Sequence, residues 1–141
     1  MEEELGIRAR TNVYTDFDIA FRPVQVLDNG EGDVALKKDV EAVKQSVLNI
    51  LRTNRGERPF LPSFGSNIRS YLFENMDAVT AALIEEDITF SLTNFEPRVK
   101  LLSVDVTDLP DNNAVSISLE LEIINPVSTT TNLEFKLERL R

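Results

Sequence analysis

The sequence contains no cysteine, no histidine and no tryptophan among its 141 residues. Without cysteine there is no disulfide and no thiolate nucleophile, and without histidine the commonest general base and most zinc sites are excluded. No apolar run approaches the roughly 18 residues that a membrane-spanning helix needs. We therefore expect no metal, no cofactor and no membrane as a partner.

The charge balance is strongly acidic, with a net charge of -9 and a pI near 4.5. Such a chain is repelled by phosphate backbones, so nucleic acid is not an expected partner. Apolar residues make up 42% and charged residues 28% of the sequence, which is ordinary for one soluble globular domain. The start, Met-Glu-Glu-Glu, has the wrong charge for a secretory signal, so we expect assembly in a cytoplasm-like compartment.

The N-terminal part is expected to differ from the rest of the chain. Residues 1–36 are interpreted as an arm, and residues 37–141 as a single domain. Within the arm, Phe17, Ile19 and Phe21 alternate with Asp and Ala, which predicts a short strand. The beginning of the arm is expected to become ordered only against a partner.

Two stretches have the apolar spacing of helices that pack one side against a core. The first spans residues 39–54, with Asp39 as the expected N-cap and Gly56 as the residue that ends it. The second spans residues 76–95 and ends before Pro97. The buried sides are expected at Val40, Val43, Val47 and Leu51 in the first helix and at Ile84, Ile88, Leu92 and Phe95 in the second.

The C-terminal part alternates apolar and polar residues with the period of a β-strand. Two turn signals, Asp111-Asn112-Asn113 and Asn125-Pro126, divide it into three stretches. We expect an antiparallel β-meander whose apolar face is covered by the two main helices, which makes a two-layer α+β domain. The apolar positions are Leu102, Val104 and Val106, then Val115, Ile117, Leu119, Leu121 and Ile123, and finally Leu133, Phe135 and Leu137.

Carboxylates are the main titratable groups left for chemistry. Residues 85–87, Glu-Glu-Asp, are neighbours on the second helix and point in different directions, so we interpret them as a solvated face. A glycosidase needs two carboxyls held about 5 to 9 Å apart across a cleft, and distant residues could still form such a pair. The acids between residues 105 and 113 lack the EF-hand spacing and are interpreted as a hairpin turn. No catalytic residue is predicted.

A charged corner is expected where the second helix ends and the first strand of the meander begins. Pro97 holds the backbone extended, so Glu96 and Arg98 are predicted to project to the same side. Together they would offer a carboxylate and a guanidinium to a partner. The alternative interpretation is a helix end flanked by two solvated charges.

Two further segments are candidates for partner binding. The loop after the first helix carries Arg55, Arg58 and Phe60 between prolines and glycines, ahead of a short helix around residues 68–73. The last strand of the meander would keep one row of backbone N–H and C=O groups unpaired, which invites a strand from another chain. The alternative is that the strand near Phe17 covers this edge.

The order of several motifs resembles the gene-25-like baseplate wedge proteins of contractile phage tails, with relatives in type VI secretion and extracellular injection machines. The Glu96-Pro97-Arg98 triplet is that family's signature. The resemblance spans about residues 39–139, and residues 1–36 match least. The motifs are Leu51-Arg52-Thr53, Arg55-Gly56-Glu57-Arg58-Pro59-Phe60, Pro62 with Phe64-Gly65, Leu72-Phe73-Glu74-Asn75-Met76, and Phe95-Glu96-Pro97-Arg98.

This resemblance implies a structural part in the baseplate of a virion tail, assembled in the host cytoplasm. Residues 96–98 would contact the core-bundle proteins of the wedge. The strand with Leu133, Phe135 and Leu137 would accept strands from the first ring of the tail sheath and start its polymerisation. Tube or hub proteins would be further neighbours. Because the family often carries a lysozyme-like label, a peptidoglycan-cleaving enzyme is the alternative function.

Overall fold

The computed structural model describes residues 14–20, 35–124 and 129–138. The chain forms two compact units, Met1–Ala42 and Val43–Arg141. The division predicted after residue 36 stays a prediction, because most of the expected arm lies outside the described ranges.

A small antiparallel sheet belongs to the first unit. Strand β1 (Thr15–Phe17) pairs with strand β2 (Leu36–Lys38). The Asp39 N–H donates to the Tyr14 carbonyl oxygen at 2.7 Å, and the Tyr14 N–H donates to the Asp39 carboxylate at 3.3 Å. The predicted strand at Phe17 therefore exists but ends there, and Phe21 lies outside the described residues. Strand β2, its partner, was not predicted.

Three helices follow in the positions that the apolar spacing predicts. Helix α1 spans Val40–Arg52, α2 spans Ile68–Tyr71, and α3 spans Ala78–Phe95. The Asp77 carboxylate accepts a hydrogen bond from the Thr80 N–H at 2.8 Å and thereby caps α3. This bond holds the pKa of Asp77 below its ordinary value. The two main helices are confirmed to within two residues at each end.

Three strands form the larger sheet in the order β3-β4-β5, all antiparallel. Strand β3 spans Val99–Leu109, β4 spans Ala114–Ile123, and β5 spans Thr129–Glu138. A single 3-10 turn at Pro110–Asn112 joins β3 to β4. The meander and the α+β class are confirmed.

The core lies on one face of this sheet. Strand β4 is central, and its five predicted apolar residues, Val115 to Ile123 at every second position, are all buried. Each such Val, Ile or Leu side chain contributes roughly 1.5–3 kcal/mol relative to an exposed one. Helix α3 packs along β3. The helices complete the core with Val43, Val47, Ile50 and Leu51 from α1, Ile68 from α2, and Ile84, Ile88 and Leu92 from α3.

The register of β3 differs from the prediction at one residue. The pairing with β4 shifts between Leu101 and Ser103, so Leu102 is the extra residue of a β-bulge and is 44% exposed. Leu101 is half-buried in its place, and the alternation resumes at Val104. The assignment of Leu102 to the core face was wrong, because a bulge changes the face of every residue on one side of it.

Candidate docking surfaces

The loop between α1 and α2 is closed by its own backbone. The Ser66 N–H donates to the Thr53 carbonyl oxygen at 2.9 Å, and the Arg55 N–H donates to the Ser66 carbonyl oxygen at 3.2 Å. Gly65 has a φ of +103°, and a Cβ there would overlap the Thr53 carbonyl group, so only glycine fits. The Ser66 hydroxyl donates to the Leu51 carbonyl oxygen at 2.7 Å, which ties the loop to the end of α1.

Arg55 is exposed, but its guanidinium is held by contacts within the protein. Its guanidinium pairs with the Asp87 carboxylate at 2.5 Å and lies 5.0 Å from the centre of the Phe90 ring. The other Asp87 oxygen accepts the Asn67 N–H at 2.7 Å. The Ser91 hydroxyl donates to the Gly65 carbonyl oxygen at 3.0 Å. Arg55 therefore fixes the loop onto α3, which leaves less of it for a partner.

The interpretation of Asp87 as part of a solvated face was wrong. Asp87 is 7% exposed, whereas Glu85 and Glu86 are exposed as expected. Helical spacing gave a signal for this, because residue 87 lies three positions after Ile84 and one before Ile88 on the buried side. Its partner, Arg55, lies in a loop more than thirty residues away along the chain. Helical spacing alone therefore cannot predict this pair.

The tip of the same loop presents an apolar side chain to solvent. Phe60 is 99% exposed, next to Pro59. The Gly56 N–H donates to the Pro62 carbonyl oxygen at 2.8 Å, which closes the tip. Arg58 lies 4.0 Å above the Phe64 ring, which itself packs on Phe95. Of the three predicted loop residues, Phe60 is the one most available for contact.

The backbone of the corner at residues 96–98 is fixed at three points. The Glu96 N–H donates to the Leu92 carbonyl oxygen at 2.9 Å and ends α3. The Val99 N–H donates to the Glu96 carbonyl oxygen at 3.1 Å, which places Pro97 second in a tight turn. The Arg98 carbonyl oxygen accepts the Ile124 N–H at 2.8 Å. The corner is therefore rigid.

The side chains of Glu96 and Arg98 project to the same side and contact each other. The extended backbone predicted at Pro97 was wrong, because the bond from the Val99 N–H to the Glu96 carbonyl oxygen forms a turn there. The Arg98 Nε and Nη2 atoms donate to the two Glu96 carboxylate oxygens at 2.5 and 2.7 Å. Glu96 is 2% exposed, whereas the Arg98 side chain is 35% exposed. The carboxylate thus faces the protein, and the guanidinium and the exposed Pro97 form the outer surface of the corner.

Burial by itself raises the pKa of Glu96, because a charge is poorly solvated in the interior. Hydrogen bonds from Arg98 and from Ser46, together with the positive charge of Arg98, outweigh that effect and hold the pKa below its ordinary value. Ser46 lies on α1 and Arg98 precedes β3, so the ionised carboxylate joins two elements of the core.

The outer edge of β5 is the third candidate surface. Strand β5 pairs with β4 through ten consecutive residue pairs without a bulge, and no further strand pairs with it among the described residues. Leu133 and Phe135 are buried and Leu137 is half-buried, so these side chains secure the strand to the core. The backbone of the strand is what remains for a partner. The predicted alternative partner, the strand near Phe17, pairs with β2 instead.

Two classes of site have no support in the described residues. No three or more carboxylates there lie close enough together to hold a metal ion. None of the helices in the described part combines the length and apolarity that crossing a bilayer requires.

The sequence matches the family model of the baseplate wedge protein gp25 over residues 37–126. This match covers the loop and the corner. The chain belongs to the baseplate wedge protein family. A relative in this family, the baseplate wedge protein gp25 of Enterobacteria phage T4, is 33% identical over 113 residues, which are 80% of this chain and 82% of the relative. As a member of the family, the protein is a structural component of a contractile-tail baseplate.

Two solved structures share the fold. One is the crystal structure of a putative tail lysozyme from Geobacter sulfurreducens, with 30% identity, a TM-score of 0.64, and coverage of 70% of this chain and 89% of that one. The other lies in the baseplate of the anti-feeding prophage, with 26% identity, a TM-score of 0.66, and coverage of 79% and 86%. The fold of this chain therefore also occurs in a protein of a sixfold-symmetrised baseplate.

Proposed function

We propose that this baseplate wedge protein starts the tail sheath by accepting a sheath strand on β5, while the corner at residues 96–98 docks on the core-bundle proteins of the wedge. The observation that carries the proposal is the outer edge of β5, a ten-residue strand that pairs with β4 without a bulge and with no further strand among the described residues. Tube or hub proteins would contact the exposed loop tip at Phe60.

The edge of β5 has the properties that strand addition needs. In an antiparallel strand every second residue directs both its N–H and its C=O away from the strand on one side. Strand β5 therefore offers a regular row of such groups on the side away from β4. Glu134, Lys136 and Glu138 are exposed along it and oppose unselective pairing. The other outer strand, β3, is a poorer acceptor because the bulge at Leu102 interrupts its row.

The corner has the rigidity that a docking point needs. A guanidinium that is already held by Glu96 loses little rotational freedom on binding, so less of the binding energy is offset by ordering. Pro97 is exposed beside it and cannot move its own φ angle. The contact with a partner would therefore use Pro97 and the outer side of Arg98, with Glu96 as the residue that positions the arginine.

Proline substitution tests the edge. Of Thr130→Pro and Thr131→Pro, one removes an N–H that faces β4 and the other removes one that faces outward. Thermal unfolding identifies the outward variant as the one that keeps a near-wild-type Tm. We expect baseplates carrying it to lack sheath in electron micrographs. The control is the same pair of proline substitutions on β3, at Thr107 and Asp108, and its outward variant should carry normal sheath. Normal sheath on the outward β5 variant would refute strand addition.

A surface substitution tests the corner. Pro97→Asp should reduce co-purification with the core-bundle proteins, while the matched control Pro110→Asp, at another exposed turn, should not. Arg98→Glu is a poor test, because it places a second carboxylate against the buried Glu96 and destabilises the fold itself. Undiminished core-bundle binding by a folded Pro97→Asp protein would contradict the docking role.

Peptidoglycan cleavage is the second candidate, because one structural neighbour is described as a putative tail lysozyme. A glycosidase of that kind needs a carboxylic acid with a raised pKa. Three carboxylates are buried among the described residues, and each has a basic partner: Glu96 pairs with Arg98, Asp87 with Arg55, and Asp18 with Lys37. The pKa of Glu96 is lowered rather than raised. A turbidity assay of the purified protein on cell walls should show no lysis. Lysis that one Glu or Asp substitution abolishes would establish the enzyme.

A further inference from the structure

A groove of about 670 Å³ lies beside the end of β5. One wall is formed by Lys136, Leu137 and Glu138 of the strand, and the other by α2 and the turn that follows it. Arg69 on α2 and Phe73 after it belong to this second wall. A strand that paired with the outer edge of β5 would reach this groove near the end of β5.

The groove has an exposed aromatic wall that the fold itself does not use. Phe73 is 75% exposed, yet its backbone is fixed, since its N–H donates to the Ser70 carbonyl oxygen at 3.3 Å. Leu72 beside it is buried, and Leu137 opposite is half-buried. Phe73 and Leu137 therefore give the two walls of the groove an apolar lining beside the edge of β5.

The rim of the groove is basic on a protein with a net charge of -9. Arg69 and Lys136 line it, against the single acid Glu138. Among the described residues neither Arg69 nor Lys136 has an ion pair. The charge at this place is therefore complementary to an acidic group rather than to a basic one.

We propose that this groove selects the strand that adds to β5, and that the strand carries a bulky apolar residue and, near it, a carboxylate. Side chains of an added strand alternate between the two faces of the sheet. Those on the helix side would enter the groove, where the apolar residue packs on Phe73 and Leu137. The carboxylate then reaches Arg69, which lies on the same wall of the groove as Phe73. This inference rests on the proposed strand addition and names the chemistry of its partner.

Binding of the purified sheath protein to the full-length wedge protein tests the groove. Phe73→Ala should weaken binding about 10- to 30-fold, as expected for an aromatic side chain that becomes buried in an interface. Phe60→Ala is the matched control, because this second exposed phenylalanine lies on a different loop and should leave sheath binding unchanged. Both side chains are exposed, so unfolding curves should match the wild type.

A charge exchange tests the carboxylate. Arg69→Glu should weaken binding about 3- to 10-fold through lost attraction and new repulsion. A sheath variant in which one acidic residue of the added strand is changed to lysine should bind Arg69→Glu better than it binds the wild type. If every acid-to-lysine sheath variant binds the wild type and Arg69→Glu equally well, the assignment of the carboxylate is overturned.

The outcomes separate this inference from the proposed function. If the outward β5 proline variant abolishes binding while Phe73→Ala and Arg69→Glu bind like the wild type, the groove plays no part and strand addition stands. If the proline variant binds normally, strand addition fails and the groove proposal fails with it. Loss of binding in all three variants, with Phe60→Ala unaffected, is the expected result.

Discussion

Replacing Arg98 with methionine keeps most of the length of the side chain but removes the guanidinium that holds the Glu96 carboxylate. Glu96 would then remain buried, with the Ser46 hydroxyl still donating a hydrogen bond to it. An ionised carboxylate left in the interior without its counter-charge is poorly solvated. We expect Arg98→Met to lower the free energy of unfolding.

The size of the effect follows from the exposure of the two side chains. Removing one partner of a fully buried ion pair costs about 3–5 kcal/mol, and exposed pairs contribute about 0–1 kcal/mol. Glu96 is buried, but Arg98 is about one-third exposed, so water screens part of the interaction. We therefore expect a loss of about 2 kcal/mol. For a chain of this length the Tm should fall by about 6–10 °C.

Urea unfolding followed by circular dichroism measures this loss. The slope of the free energy against urea should stay unchanged, because the same surface is exposed on unfolding. Arg69→Met is the matched control, since Arg69 is exposed and has no ion pair among the described residues. It should change the free energy by less than about 0.5 kcal/mol. An Arg98→Met protein as stable as this control would refute the reasoning.

The pH dependence gives an independent check with a definite sign. The pKa of Glu96 is lowered in the folded protein, so its stabilisation is fully present above the ordinary pKa of a glutamate. It is lost as the pH falls through the folded pKa, where the carboxyl becomes neutral. The difference between the wild type and Arg98→Met should therefore be largest near neutral pH and shrink on acidification. A difference that grows on acidification would contradict the assignment of Glu96 as the charged partner.

Three further predictions concern the loop and the helices. Gly65→Ala should lower the free energy of unfolding by about 2–5 kcal/mol through backbone strain and overlap with Thr53. Gly56→Ala has open space around it and should lower it by about 1–2 kcal/mol. Equal losses in urea unfolding would contradict this. Asp87→Ala should lower the free energy of unfolding by about 1–2 kcal/mol, because the Asn67 N–H loses its acceptor and the partly screened pair with Arg55 is lost. An unchanged urea midpoint would show that the pair is dispensable. Asp77→Ala should lower the Tm at neutral pH, and the gap to the wild type should close as the pH falls through the lowered pKa of Asp77; a pH-independent gap would argue against the cap.

The central part of the fold could be predicted from the sequence because the burial of apolar side chains determines it. Along β4 every second residue from Val115 to Ile123 is apolar, and only a strand with one buried face satisfies that period. The ends of α3 were likewise determined locally, by the capping acid Asp77 and by Pro97. Local rules were sufficient wherever burial and backbone geometry agreed.

Other features depended on pairs that are far apart in the sequence. The bulge at Leu102 is a property of the pairing between β3 and β4, so the alternation within β3 does not show it. The inward orientation of Glu96 depends on Ser46, which lies fifty residues earlier on α1. The same holds for Arg55 and Asp87. Glu96 and Arg55 were predicted to face a partner protein, and the structure gives both of them partners within the chain.

The regular pairing of β5 has a consequence for where a neighbouring subunit can sit. Neighbouring residues of a strand face opposite sides of the sheet, so a chain pairing with β5 can shift only in steps of two residues without inverting its buried and solvated faces. Each step corresponds to about 7 Å along the strand. A strand added to β5 would therefore be restricted to widely spaced positions along it, and an apolar contact at one end would favour one of these positions.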